Sequence, residues 1–304
     1  MADAKTLDAP AATAMAPGIH TVAVVGCGLM GSGIAQIAAH AGYATIVYEP
    51  KQAVLDKGRG RIEKFLQGGV DKGKLAAADK DATLARLTFS TALADLAAAD
   101  LVIEAITENI DAKKAVYTTL DGICGPRTIF ASNTSSISIT EIAASTQRPD
   151  RFLGMHFFNP VPLMKLVELV KTIQTSDATL ATAAAYAQSV GKMAIVAKDS
   201  PGFVVNLLLV PYLLGAVRAL QNGLATREDI DTAMKLGCGY PMGPLELLDF
   251  VGIDTTYYIA EIMFQEFKDA TYAAPPLLKQ MVQAGFHGRK SGRGFYDYST
   301  GQPR

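Results

Sequence analysis

Thr21-Val22-Ala23-Val24-Val25-Gly26-Cys27-Gly28-Leu29-Met30-Gly31 is the stretch that decides the fold. Its first five residues are a short apolar run rich in β-branched side chains, the composition of a strand buried on both faces of a parallel sheet. A G-x-G-x-x-G turn follows at once. Beyond it Ile34, Ile37, Ala38 and Ala41 recur at helical spacing, and Gly42 supplies a stop. A second apolar run, Thr45-Ile46-Val47-Tyr48, ends on Glu49. Each piece has a task in binding a dinucleotide. Gly26 allows the tight turn, Gly28 lets the backbone approach a pyrophosphate, and Gly31 lets helix and strand pack closely. The turn through Leu29 and Met30 then offers a helix N-terminus to the phosphates. Glu49 lies roughly twenty residues beyond the glycines, where an acid can reach both ribose hydroxyls. A glycine-rich turn without a ligand is the alternative, and the order strand, turn, helix, strand, acid argues against it. Cys27 is expected as a small filler of the turn, not a reactive thiol.

The 304 residues suffice for one large domain or two smaller ones. A hydrophobic content of 49% with 19% charged residues indicates an ordinary soluble globule. A net charge of -1 removes the electrostatic reason to expect nucleic acid or an anionic membrane as partner. Cys27, Cys124 and Cys238 are scattered, odd in number and without C-x-x-C spacing. That pattern points to a reducing, cytoplasmic setting and away from a disulfide framework or a metal site. Met1 to Gly18 is rich in Ala, Pro and Thr, and lacks the apolar core of a signal peptide and the arginines of a mitochondrial presequence. It reads as a mobile N-terminal extension over 1–18. The longest apolar run, Phe203 to Leu214, is too short to span a bilayer and contains Asn206 and Pro211.

After Glu49 a helix is expected from about Gln52 to Gly73, with Val54, Leu55, Ile62, Phe65 and Leu66 inward. Lys57, Arg59, Arg61, Lys64, Lys72 and Lys74 make this region basic, either as a solvated face or as a phosphate contact. Strands follow at Arg86 to Ser90, Leu101 to Ala105 and Thr128 to Ala131, with a helix from Ile110 to Cys124 between the last two. Alternating strands and helices imply right-handed crossovers and an α/β, Rossmann-type, doubly wound and mostly parallel sheet. Ligands of such sheets sit beyond the carboxyl ends of the strands, which places Glu108, Lys113, Asn133 and Ser135 at the cofactor end. Phe152 to Phe157 and Leu166 to Val170 are further strand-like runs. A lone histidine among apolar residues is more often a satisfied core residue, but His156 ends its run at the same rim. Glu168 is an acid inside another apolar run, where an unpaired charge would be costly. Pairing them solves both problems and fixes one imidazole tautomer. Met193 to Ala197 is expected as the last strand. Ser200 is expected as an N-cap with Pro201 in the first helical turn, and only helical patterns follow. The expected division is a dinucleotide-binding domain over 19–200 and a smaller all-α domain over 201–304. Asn206 either bonds another helix or points into a cleft. Apolar residues from Gly243 to Phe250 and Tyr257 to Phe267 exceed what about a hundred residues easily bury, which hints at a homodimer through the C-terminal helices.

Several motifs together resemble the signatures of the L-3-hydroxyacyl-CoA dehydrogenases, a family that includes the 3-hydroxybutyryl-CoA dehydrogenases. They are Ser132-Asn133-Thr134-Ser135-Ser136, His156-Phe157-Phe158-Asn159-Pro160, Pro201-Gly202-Phe203-Val204-Val205-Asn206, Tyr240-Pro241-Met242-Gly243-Pro244 and Gly288 to Tyr296. The resemblance runs from about residue 20 to 298. It implies interconversion of an L-3-hydroxyacyl-CoA and a 3-ketoacyl-CoA, in fatty-acid oxidation or its reverse. It further implies that His156 is the base for the 3-hydroxyl proton and that Glu168 is its partner. Ser135 and Asn206 would bond the reacting oxygen or orient the histidine. Glu108 and Lys113 would lie near the nicotinamide, and Lys72 would contact the CoA moiety. Leu207 departs from the family, which often has a basic residue there. Glu49 favours NAD because it would repel a 2′-phosphate, while Lys51 softens that exclusion of NADP. Two rivals remain at this stage. One is a β-hydroxyacid dehydrogenase acting on a free acid, typically with a catalytic lysine. The other is a dinucleotide-binding protein without turnover.

Overall fold

The computed structural model describes residues 14–299. The chain divides into two compact units, Met1–Asp199 and Ser200–Arg304. In the first, β1 (Thr21–Val25), α1 (Leu29–His40) and β2 (Ala44–Tyr48) form the opening unit, followed by α2 (Gln52–Asp71), α3 (Ala77–Ala85) and β3 (Leu87–Ser90). Next come β4 (Leu101–Glu104), α4 (Ile110–Ile123), β5 (Ile129–Ser132), α5 (Ile139–Ala143) and β6 (Phe152–Phe157). The unit ends with β7 (Leu166–Lys171), α6 (Asp177–Ser189) and β8 (Met193–Lys198).

Among the described residues these strands make one eight-stranded sheet in the order β3-β2-β1-β4-β5-β6-β7-β8. All neighbours run parallel except β6 and β7. The strand order reverses between β1 and β4, the place where a doubly wound sheet opens a crevice at its carboxyl edge. Every residue of β4, β5 and β6 is buried, which accounts for their unbroken apolar runs. The core gathers Val22, Val24, Ile34, Leu101, Ile103, Leu153 and Phe157, with Leu55, Ile62 and Leu66 of α2 packed on the same side. Phe65, expected inside, is exposed, because it stands one position off that inward stripe.

Of the extension expected over 1–18, the first thirteen residues lie outside the described residues. Ala16 is buried in the core, and its amide donates to the Tyr43 hydroxyl at 2.7 Å. That hydroxyl meets Ser189 Oγ at 2.6 Å, so Ala16 is linked through Tyr43 to α6.

The second unit contains α7 (Val205–Gln221), α8 (Arg227–Cys238), α9 (Pro244–Val251), α10 (Ile253–Phe267) and α11 (Pro276–Gln283). The helix expected with Ser200 as its N-cap starts four residues later, capped by Val204. Gly202 (φ +83°) and Phe203 (φ +48°) occupy the left-handed region, which a right-handed helix cannot contain. Buried Asp249 fastens the C-terminal segment to this unit by accepting from the Phe295 and Tyr296 amides, each at 2.9 Å. No helix among the described residues is long and apolar enough to cross a membrane.

Candidate active site

Register sets the site. Val25 of β1 aligns with Glu104 of β4, Glu104 with Ser132 of β5, and Ser132 with Gly154 of β6. The segments beginning at residues 26, 105 and 133 therefore leave the sheet at one rim.

The first of these is the glycine turn. Gly26 sits at φ +99°, and a Cβ there would lie 2.7 Å from the Ala105 carbonyl oxygen. A Cβ on Gly31 would lie 1.8 Å from the Gly26 carbonyl oxygen. Both glycines are demanded by the protein itself. Gly28 is different, because a Cβ there would meet nothing within 4 Å. It opens onto space at the N-terminus of α1, and the donors there fit a dinucleotide pyrophosphate. Leu29 is exposed and Met30 partly buried in the first turn of α1. Glu49 follows β2 and bends back to the turn, where its Oε2 accepts from the Cys27 amide at 3.3 Å. The Cys27 thiol is buried, and burial pushes its pKa up to about 11, consistent with a filler.

Glu108, Lys113 and Ser135 form one network. The Glu108 carboxylate accepts from the Thr134 hydroxyl, from the Ser135 amide at 2.9 Å and from Ser136 Oγ at 3.3 Å. Burial alone would raise its pKa. The Lys113 ammonium outweighs burial, together with the Thr134 and Ser135 bonds, and holds Glu108 below its ordinary value. Lys113 itself is buried, 1% exposed. Its Nζ bonds Glu104 Oε1 at 2.7 Å and lies 3.4 Å from Glu108 Oε2. Lys113, expected near the nicotinamide end, is the buried counter-charge of both Glu104 and Glu108. Glu104 was missed by sequence reasoning. It is fully buried and also accepts from Ser132 Oγ and the Ile106 amide, both at 2.7 Å. Its signal was the one that exposed Glu168, an acid inside an apolar run.

His156 and Glu168 face each other directly in the antiparallel β6–β7 register. Opposed residues on one face of such a pair have neighbouring side chains, and His156 Nδ1 meets Glu168 Oε2 at 2.7 Å. Both are buried, Glu168 completely. The imidazole also packs 4.6 Å from the Phe158 ring, centroid to centroid. Asn133 ties the serine-rich loop to this strand end, because its Oδ1 accepts from the Phe157 amide at 2.9 Å.

A groove of about 1030 Å³ lies over α1 and α2 and is walled by the loop from Asn159 to Lys165. Lys72, at the C-terminal end of α2, lines it with Arg61, Lys64, Lys74, Lys165 and Lys192, and none of its lining residues is a carboxylate. Arg61 reaches the glycine turn as well, donating to the Cys27 carbonyl at 3.1 Å. Asn206 belongs to the second unit, partly buried in the first turn of α7.

The family described as "3-hydroxyacyl-CoA dehydrogenase, NAD binding domain" matches residues 21–200, and its "C-terminal domain" companion matches residues 202–298. A 3-hydroxybutyryl-CoA dehydrogenase of Mycobacterium tuberculosis is 50% identical over 286 residues, covering 93% of this chain and all of that protein. The mitochondrial hydroxyacyl-coenzyme A dehydrogenase of Sus scrofa is 46% identical, covering 92% of this chain and 91% of its own. The crystal structure of (S)-3-hydroxybutyryl-CoA dehydrogenase from Ralstonia eutropha superposes with a TM-score of 0.89 at 49% identity, covering 92% of this chain and 99% of that one. With both domain families matched in order along nearly the whole chain, this protein belongs to the 3-hydroxyacyl-CoA dehydrogenase family.

Proposed function

We propose that the protein interconverts L-3-hydroxyacyl-CoA and 3-ketoacyl-CoA with NAD as its cofactor, and that short acyl chains such as the 3-hydroxybutyryl/acetoacetyl pair are substrates. The observation that carries this reading is the buried His156–Glu168 pair at the rim where the glycine turn ends. Oxidising an alcohol carbon releases a hydride and a proton, and bound nicotinamide supplies the hydride acceptor. The proton falls to His156. With Glu168 accepting from Nδ1–H, the imidazole lone pair lies on Nε2, the atom we assign to the substrate 3-hydroxyl. Glu168 also stabilises the imidazolium that forms, and a base of this kind contributes on the order of 10²–10⁴-fold. Ser135 and Asn206 are assigned to the reacting oxygen. Glu108, held anionic by Lys113, is assigned to the nicotinamide end with Asn133.

Glu49 supports NAD over NADP, since its carboxylate at the ribose position repels a 2′-phosphate. The groove supports a CoA ester rather than a free acid. Its cations suit the phosphates of an acyl-CoA, and Lys72 is assigned to them. Three scattered cysteines, odd in number and without C-x-x-C spacing, support a reducing, cytoplasmic setting. The exposed apolar face of the C-terminal helices supports a homodimer. The test is spectrophotometric, with acetoacetyl-CoA and NADH. Turnover is expected, with NADPH at least about tenfold poorer and free acetoacetate inert. Absence of turnover with 3-ketoacyl-CoA esters from C4 to C16 would overturn the reading.

A further inference from the structure

Lys192 is a buried cation in the lining of the groove, and the assignments above give it no role of its own. It lies between α6 and β8 and is 4% exposed. Its ammonium donates to the Val161 carbonyl at 2.6 Å and to the Met164 carbonyl at 2.7 Å. Among the described residues no carboxylate pairs with it. Burial draws its pKa down to about 8, so keeping the charge there costs free energy that an apolar side chain would not incur. Both carbonyls belong to the connection between β6 and β7, the strands that carry His156 and Glu168. The same connection is seated from the other side by α1. A Cβ on Gly33 would lie 2.8 Å from Val161 Cβ, so the helix leaves room for the loop there and nowhere to shift. Val161, Pro162 and Leu163 form the wall of the basic groove opposite α2.

We propose that Lys192 is a positioning residue that holds this loop as the fixed wall of the acyl-CoA groove. The inference rests on the assignment of that groove to the CoA portion of the substrate. An ammonium with three rotatable donors can bond two carbonyls of an irregular loop that has no sheet partner for them. Removing it leaves two carbonyls unpaired and frees the wall, so the cost falls on binding the part of the substrate that lies along it. The reacting thioester and the nicotinamide end lie elsewhere at the rim.

Steady-state kinetics of Lys192→Met, Lys192→Arg and Lys72→Gln test this with acetoacetyl-CoA and with the truncated acetoacetyl-N-acetylcysteamine thioester. In Lys192→Met the KM for acetoacetyl-CoA should rise about tenfold. Its KM for NADH, and kcat/KM for the truncated thioester, should stay within about twofold of wild type. Lys192→Arg should restore part of the loss. An unchanged acetoacetyl-CoA KM in Lys192→Met, beside a raised one in Lys72→Gln, overturns the role of Lys192 alone. Equal losses with both thioesters mark a merely structural residue and overturn it too. If neither variant moves the KM, the groove is not the CoA site and the assignment beneath the proposal fails. Should Lys192→Met not fold, Lys192→Gln, which keeps a donor, gives the same comparison.

Discussion

At the scale of single residues, the two buried acids of the sheet make opposite demands. Glu168 has a neutral-capable partner in His156, so its worth is in orientation and in stabilising a transient imidazolium. Glu168→Gln keeps the shape and removes the charge. We expect kcat to fall by about 10²-fold or more while NADH affinity, read by fluorescence titration, stays unchanged. An unaltered kcat would remove Glu168 from the mechanism. Glu104 instead faces the Lys113 ammonium at 2.7 Å with both side chains shielded from water. Such a pair adds little net stability when intact, but removing one member strands the other charge. Lys113→Met should therefore lower unfolding free energy by about 3–5 kcal/mol, with much of it recovered in the Lys113→Met/Glu104→Gln double variant. Urea denaturation of the two variants decides it, and a near-neutral single variant would refute the pairing. Glu168 was legible in sequence because an acid inside a strand-like run must find a partner. Glu104 carried the same signal, but its partner sits nine positions away on α4, and only the folded crossover brings the two together.

At the scale of elements, the glycine turn separates what the fold needs from what a ligand needs. Gly31→Ala would drive a Cβ into the Gly26 carbonyl, a backbone atom that cannot step aside. It should destabilise by about 1–3 kcal/mol and abolish NADH binding. Gly28→Ala meets no protein atom, so thermal unfolding should match wild type while NADH affinity falls at least about tenfold. Equal NADH binding in Gly28→Ala would mean that nothing lies over that glycine. Strands β1, β4 and β5 were readable because burial on both faces writes itself as an unbroken apolar run. The short helix Ala77–Ala85 was not, since its alanines and charges carry no apolar period and only Thr83 is buried. The start of α7 was misread for a different reason. Ser-Pro-Gly-Phe satisfies every rule for a helix opening except backbone dihedrals, and the left-handed pair Gly202–Phe203 postpones the helix to Val205. Antiparallel pairing of β6 with β7, which brings His156 opposite Glu168, was likewise invisible, because alternation in a run does not encode strand direction.

At the scale of the whole molecule, the C-terminal unit exposes several large apolar side chains. On α10, Tyr258 is 59% exposed and Ile262 stands four residues later on the same face, also exposed. Phe250 and Val251 at the end of α9 are exposed as well. In the proposed homodimer these apolar groups on successive helices are the surface that a second copy covers. A two-fold pairing of identical copies satisfies it with a closed, self-complementary contact and leaves no edge to grow from. Light scattering of the full chain should therefore report a dimer. Paired charges in Tyr258→Glu/Ile262→Glu should shift it to monomer, since carboxylates facing their own symmetry mates repel and must shed water. The dinucleotide-binding unit is untouched by these changes, so NADH binding should persist in the monomer. A wild-type chain that is monomeric at micromolar concentration would refute the interface. A double variant that stays dimeric would place it on another surface.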